Sequence, residues 1–319
     1  MVVKYNCFRK LLRLIFHGVF MLNAGIDIGG TNIKLALVET GGDDPVIAAR
    51  DRFLFDQAGC NLLCQRIADS IFGMLRQIGK DVSDLGMIGL TVPGSVDQSG
   101  EILLHAYNMG YHNVPVKKVL STHFPGVPVK MINDAKAAAL AELKAGVFRG
   151  LDTALLLTIG TGLGAGLILG GKVFNGGQNR GSEIGHMPFI KGGIPCTCGL
   201  TGCIERYTSA TRLAELGRDN LGDDFADAKA VKDAAEAGDA RAQELLDIYI
   251  DDLATAIGGL CSVFDPQRVA LGGGFSASGD ILYVPLKKLV AERNFFKAKY
   301  EIVPARFRND AGVIGAALL

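Results

Sequence analysis

The chain has 319 residues, with 33 Lys plus Arg against 33 Asp plus Glu, for a formal net charge of zero. That balance excludes the broad basic face of a nucleic-acid-binding protein and any long-range pull toward acidic surfaces, so a polyanionic ligand has to be held locally. Chains beyond about 250 residues tend to split into separate cores, which makes two lobes the expectation here.

Residues 1–22 are basic and apolar by turns. Arg13 and His17 interrupt the stretch Leu11 to Leu22, leaving it too short and too charged to span a membrane. We read 1–22 as a loosely ordered extension, with a membrane-touching amphipathic helix as the alternative. From Ala24 the pattern becomes α/β. Ala24–Asp27 and Ile33–Val38 read as strands joined by a glycine turn, and Val46–Phe55 as a third. Cys60–Ile78 has helical spacing, and Leu85–Val92 is an apolar strand ending in Pro93-Gly94. Val127–Ile132 is a strand that runs into Asn133-Asp134 and the alanine-rich helix Ala135–Ala145. The opening theme then recurs, with Thr153–Ile159 a strand, Gly160-Thr161-Gly162 a turn and Gly164–Leu169 a return strand. Gly192–Gly202 is a cysteine-bearing loop, Ala240–Phe264 a long helix, Arg268–Leu271 a strand and Ile281–Phe295 a helix. The repeat of strand, glycine–threonine turn and strand suggests two similar lobes facing a cleft.

Glycine numbers 42, and its clusters sit between apolar strands. In Gly29-Gly30-Thr31, just after Asp27, bare backbone N–H groups could meet a phosphate, with the threonine hydroxyl adding a bond and Asp27 orienting hydrated Mg2+. Gly160 to Gly164 offers the same chemistry from the other lobe. Neither fits G-x-x-x-x-G-K-[ST], and no G-x-G-x-x-G opens a helix after the first strand. A third turn, Leu271-Gly272-Gly273-Gly274-Phe275-Ser276, either packs flat on a planar base or is a tight strand-to-helix turn. Cys196, Cys198 and Cys203, with His186 ten residues upstream of Cys196, have the composition of a closed tetrahedral Zn2+ site; a redox pair is the alternative, though C-x-C is not the thioredoxin spacing. Cys7, Cys60, Cys64 and Cys261 read as ordinary reduced thiols, and the odd count of seven suggests a reducing, cytoplasmic setting. Asp134, at a strand end beside a helix start, is either a helix cap or a carboxylate projecting into the cleft.

Taken together these segments resemble the ROK family of repressors, open reading frames and sugar kinases. Asp27-Ile28-Gly29-Gly30-Thr31-Asn32-Ile33-Lys34 is similar to its first phosphate motif, and Asn133-Asp134-Ala135-Lys136-Ala137-Ala138-Ala139 to its catalytic segment. Gly160–Gly166 is similar to its second phosphate motif, Leu271–Ser276 to its adenosine motif, and Cys196 to Glu205 to its C-x-C-G-x-x-G-C-x-E segment. The resemblance covers Ala24 to Leu319, with the motifs in family order. It implies an α/β, two-lobed actin-like ATPase (RNase H-like) fold with a central cleft. We expect a smaller lobe at 23–132, to which the C-terminal stretch 311–319 is a candidate to return, and a larger lobe with the zinc loop at 133–310.

The resemblance further implies an ATP-dependent sugar kinase using Mg2+, with structural Zn2+ on His186, Cys196, Cys198 and Cys203. Asp134 would be the general base. Gly94, Asn108, Asn133, Asp134, Glu183, His186 and Glu205 would contact sugar, with one ring nitrogen of His186 for zinc and the other for the sugar. Asp27, Gly29, Gly30, Thr31, Lys34, Gly160, Thr161, Gly162, Gly164, Gly272, Gly273 and Gly274 would contact nucleotide. The implied partners are a hexose, ATP and further copies of the chain in a homodimer or homotetramer, with no nucleic acid and no membrane. Two departures bear on substrate: Gln178-Asn179-Arg180 stands where the family's glucokinases carry small residues, and Lys136 where asparagine is common.

Within the family, Gly272–Ser276 and Asn309-Asp310-Ala311-Gly312 look most like glucokinases, so glucose leads. N-acetylmannosamine, N-acetylglucosamine, allose and fructose are the alternatives, and polyphosphate is a second donor to ATP. A sugar-sensing regulator would need a helix-turn-helix domain ahead of Asp27, where only 26 residues stand. An actin-like assembly ATPase would not need the zinc loop, nor a sugar-binding module two phosphate loops.

Overall fold

The computed structural model describes residues 21–56, 59–106 and 109–319. Residues 1–20, Cys7 among them, and Asn108 lie outside the described residues. The chain divides into two compact units. The first runs through Ala145 and takes back Gly176–Arg180 and Asp310–Leu319; the second is Gly146–Asn175 with Gly181–Asn309.

The first unit is built on strands β1 (Met21–Ile28), β2 (Asn32–Thr40), β3 (Val46–Leu54), β4 (Leu85–Val92) and, further on, β8 (Val129–Asn133). Their order in the sheet is β3-β2-β1-β4-β8, with the first three antiparallel and the last two pairings parallel. The strand begins earlier than its apolar pattern suggested. Met21 and Leu22 pair with Thr40 and Glu39, and Leu22 is buried, so these two residues belong to β1 and not to an extension. Helix α1 (Cys60–Gln77) buries Leu63, Ile67, Ile71 and Leu75, a stripe at four-residue spacing, against a core that includes Ile26, Leu35 and Ile88. Each such burial contributes roughly 1.5–3 kcal/mol. Between β4 and β8 the chain makes a small antiparallel sheet of β5 (Ser95–Val96), β6 (Leu103–Ala106) and β7 (Tyr111–Val114), which the sequence pattern did not suggest, followed by helix α2 (Val116–Ser121).

Helix α3 (Asp134–Ala145) belongs to this first unit, so the division falls after Ala145 and not after residue 132. The physical reason is backbone-to-backbone packing with the C-terminal helix Ala311–Ala317. A Cβ on Gly315 would lie 1.9 Å from Ala137 O, and Cβ atoms on Gly25 and Gly89 would lie 1.9 Å from Val313 O and Ala316 O. Three glycines thus let one helix press on α3, β1 and β4 together. Asn23 Nδ2 donates to Ala317 O at 2.8 Å and ties down the helix end.

The second unit repeats the plan. Strands β9 (Ala154–Ile159), β10 (Leu163–Leu169), β11 (Lys172–Val173), β12 (Arg268–Gly272) and β13 (Ile302–Pro304) lie in the order β11-β10-β9-β12-β13, again three antiparallel and then two parallel pairings. Its core joins Leu157, Leu167 and Val269 to Ile257 of the long helix α7 (Ala240–Phe264). That helix starts where Asp239 accepts from the N–H groups of Arg241 and Ala242, and it ends at left-handed Asp265. Before it come short helix α4 (Glu205–Thr208), α5 (Ala210–Leu221) and α6 (Ala228–Glu236); α8 (Asp280–Arg293) follows β12. Among the described residues no helix is long and apolar enough to cross a membrane.

Candidate functional site

In the first unit the turn after β1 is closed by Gly29 N–H donating to Asn32 O at 3.0 Å, and its tip, Thr31, is exposed. Asp27, the penultimate residue of β1, is set from three sides. Thr91 Oγ1, opposite it on β4, donates to Asp27 Oδ1 at 2.8 Å, and Lys34 Nζ lies 3.6 Å from Oδ2. A Cβ on Gly312 would stand 2.6 Å from the carboxyl carbon, so only glycine leaves room for it. A phosphate near this turn would meet bare backbone and a fixed carboxylate suited to orienting a hydrated Mg2+.

Asp134 is the first residue of α3, and the cap before it is Asn133. Asn133 Oδ1 accepts from Lys136 N–H at 3.2 Å, and its Nδ2 donates to Gly94 O at 3.2 Å. Asn133 therefore spends its carbonyl on the helix and one amide hydrogen on the turn after β4. Gly94 itself has φ of 140°, and a Cβ there would sit 1.9 Å from His105 O. Asp134, half-buried at the end of a parallel strand, keeps one oxygen on Ala135 N–H at 2.7 Å. The two stretches expected to depart from the family pattern meet here. Lys136, buried on α3, donates from Nζ to Asn179 O at 3.5 Å, while Asn179 Nδ2 donates to Asp97 O at 2.8 Å.

In the second unit the turn after β9 is closed by Gly160 N–H to Gly162 O at 3.0 Å. It is held from outside the sheet: Ala210 N–H donates to Gly160 O at 3.0 Å, Thr211 Oγ1 to Thr161 O at 2.7 Å, and Leu163 N–H to Glu205 Oε2 at 2.9 Å. Gly164 lies one residue into β10. The third glycine turn lies directly behind: Gly273, at φ of 79°, would place a Cβ 2.2 Å from Ile159 O, and Ser276 Oγ donates to Gly273 O at 2.7 Å. Gly272 ends β12, and Gly274 opens a short 3-10 turn. Thr211, Thr91 and Gly312 carry no motif spacing of their own, though Gly312 stands in the Asn309–Gly312 segment.

His186, Cys196, Cys198 and Cys203 converge, each offering one ligand atom within 4.8 Å of the others. Cys196 Sγ lies 3.7 Å from His186 Nδ1, and Cys198 Sγ 3.7 Å from Cys203 Sγ. With zinc–ligand bonds of about 2.1–2.3 Å, the edge of a tetrahedral site is about 3.6–3.8 Å, so these donors fit zinc. Gly199, at φ of 90°, lets the loop turn between its cysteines, and Gly202 passes so close to Ile190 O that a Cβ would lie 1.7 Å away. Burial, with hydrogen bonds from the Cys203 thiol to Cys198 and Cys196, pushes that thiol up to about 12. Nδ1 of His186 faces the sulfurs, which leaves Nε2 for another partner. Glu183 is exposed, three residues before His186. Cys60 and Cys64, the latter buried in α1, and buried Cys261 are free thiols.

Residues 23–319 match the ROK family. The chain belongs to that family. It is 35% identical over 313 residues to a glucokinase of Halalkalibacterium halodurans, covering 92% of this chain and 93% of that protein. Among solved structures, a ROK family glucokinase from Streptomyces griseus in complex with glucose and AMPPNP superposes with a TM-score of 0.79 at 27% identity, covering 93% of this chain and 98% of that one. A ROK hexokinase from Thermus thermophilus gives a TM-score of 0.81 at 28% identity, covering 93% and 97%. The two five-stranded sheets are accordingly those of the actin-like ATPase fold. Other similar proteins carry other names. A putative xylose repressor of Caldicellulosiruptor is 28% identical, covering 92% of this chain and 77% of that one, and an N-acetylmannosamine kinase of Escherichia coli is 29% identical, covering 94% and 98%. Family membership alone therefore leaves the sugar open.

Proposed function

We propose that this ROK protein is an ATP-dependent hexose kinase with glucose as its leading acceptor. The observation that carries the reading is Asp134, a carboxylate at the end of parallel strand β8 in a unit that also presents the braced Gly29–Thr31 turn. In the proposed reaction a sugar hydroxyl attacks the terminal phosphorus of ATP, the bond from that phosphorus to the bridging oxygen breaks, and Asp134 takes the hydroxyl proton. Gly29, Gly30, Thr31 and Lys34 on one side of the duplication, and Gly160, Thr161, Gly162 and Gly164 on the other, would bind phosphate through backbone and hydroxyl donors, with Gly272–Gly274 against the base. Mg2+, oriented by Asp27, would neutralise charge on the phosphates. Asn133, with its second amide hydrogen, Gly94, Asn108, Glu183, His186 through Nε2, and Glu205 would contact the sugar. His186 Nδ1 and the three cysteines would hold structural zinc.

The acceptor is tested by assaying ATP- and Mg2+-dependent phosphorylation of glucose, mannose, fructose, allose, N-acetylglucosamine and N-acetylmannosamine. Glucose should give the highest kcat/KM. A preference for an N-acetylated sugar would keep the mechanism and transfer the substrate assignment, with the Lys136–Asn179 contact as the first suspect. No turnover on any of them would overturn the kinase reading.

A further inference from the structure

We infer that Glu205 is a positioning residue for the second glycine loop, linking the His186–Cys203 cluster to the backbone that would hold nucleotide phosphate. The inference rests on the kinase reading for the identity of the ligand; the contact itself does not. A carboxylate whose whole task is to grip a sugar would keep both oxygens open, and Glu205 does not. Oε2 accepts from Leu163 N–H at 2.9 Å, and a Cβ on Gly162 would stand 2.2 Å from that same oxygen. The carboxylate is thus laid flat against the loop, where a charged acceptor makes a stronger bond than a neutral one. Its other oxygen lies 3.9 Å from Cys196 Sγ.

The stretch around Glu205 is fixed to the cysteine loop by backbone. Ile204 N–H donates to Met187 O at 3.0 Å, and Ile194 N–H donates to Tyr207 Oη at 2.9 Å. Order in the cluster therefore reaches Gly162 and Leu163 through one side chain. The consequence is specific: nucleotide affinity depends on Glu205 with no sugar present.

Binding of AMPPNP with Mg2+ is measured by calorimetry without sugar for wild type, Glu205→Ala, Glu205→Gln and Glu205→Asp, alongside amide hydrogen exchange at Leu163. Glu205→Ala should weaken AMPPNP by about tenfold, as loss of one charge-assisted bond implies, and the Leu163 amide should exchange faster. Glu205→Gln, which still offers an oxygen, should stay within about threefold of wild type. Glu205→Asp keeps the charge but is one methylene too short to reach Leu163 N–H, and should behave like Glu205→Ala, deciding the matter if that variant fails to fold. Stripping metal from the His186–Cys203 cluster with a zinc-selective chelator, Mg2+ being kept in excess, should weaken wild type and add little to Glu205→Ala. Wild-type affinity and unchanged Leu163 protection in Glu205→Ala would overturn the inference while leaving the kinase reading intact. If wild type itself does not bind AMPPNP, the kinase reading falls, and Leu163 exchange alone decides the role of Glu205.

Discussion

The two glycine–threonine turns stand at equivalent places in sheets of equivalent order, yet they are held by different means. In the first, the penultimate residue of β1 is Asp27, opposite Thr91 on β4. In the second, the penultimate residue of β9 is Thr158, opposite Gly272 on β12. One frame carries its carboxylate on the strand, locked by a hydroxyl and by the Gly312 backbone. The other has none on the strand and takes one from Glu205, beyond the cysteine loop. The parallel edges differ as well: β8 ends in Asn133 with Asp134 following, while β13 ends in Pro304 with Ala305 following. A duplicated scaffold thus fixes where ligands can be met, and unequal side chains decide what each half can do there.

The largest effect should come from the edge carboxylate. Asp134→Ala is expected to lower kcat by about 10²–10⁴, the usual contribution of a positioned base, while metal content and AMPPNP affinity stay near wild type. A variant with more than a tenth of wild-type kcat would remove Asp134 as the base and erase this half of the contrast. Next comes the strand carboxylate. Asp27→Ala should cut kcat/KM for Mg-ATP by about 100-fold, since a fixed charge near the phosphates is lost, whereas Thr158→Ala should change it by less than about threefold. Equal losses at the two positions would mean that the turns are functionally symmetric.

The third test concerns the cysteine loop, which the first unit lacks. Cys198→Ser should lose stoichiometric zinc, read by metal analysis, and lower the melting temperature by roughly 10 °C, because a structural metal contributes folding energy directly. Full thermal stability without metal would leave the cluster with no structural role.

Much of this contrast was legible in the residues. Both glycine–threonine turns, Asp134 and the spacing of His186 from its three cysteines are local patterns of a few residues, and local patterns survive reading along a chain. The longer strands and helices were legible for the same reason, since β4 and α7 are long apolar or periodic runs. What could not be read was long-range. Thr91 matters because it stands opposite Asp27, and Gly312 because a helix from the far end of the chain lies on the same carboxylate. The boundary after Ala145 depends on Gly315 meeting Ala137, a contact between residues far apart in sequence. The β5–β7 hairpins, β11 and β13 were missed because strands of two to four residues carry too few alternations to show a period.

The smallest effect is expected where Lys136 and Asn179 touch. Buried Lys136 holds Asn179 O, and Asn179 holds Asp97 O, so the segment Gly176–Arg180 is fastened to the first unit just before the chain runs on to Glu183 and His186. Asn179 adopts φ of 60°, which glycine accepts readily, so Asn179→Gly removes the side-chain bond without backbone strain. Lys136→Met keeps most of the apolar stem and removes the ammonium. Each should raise KM for the preferred sugar by about three- to tenfold, as expected for one lost hydrogen bond, with kcat and KM for ATP little changed. Because both act on one segment, the double variant should be no worse than the poorer single one, and trypsin should cleave after Arg180 faster in all three. Additive losses would mean that the two residues act separately. An unchanged cleavage rate with an altered sugar preference would place Lys136 against the sugar itself rather than behind the loop that precedes Glu183.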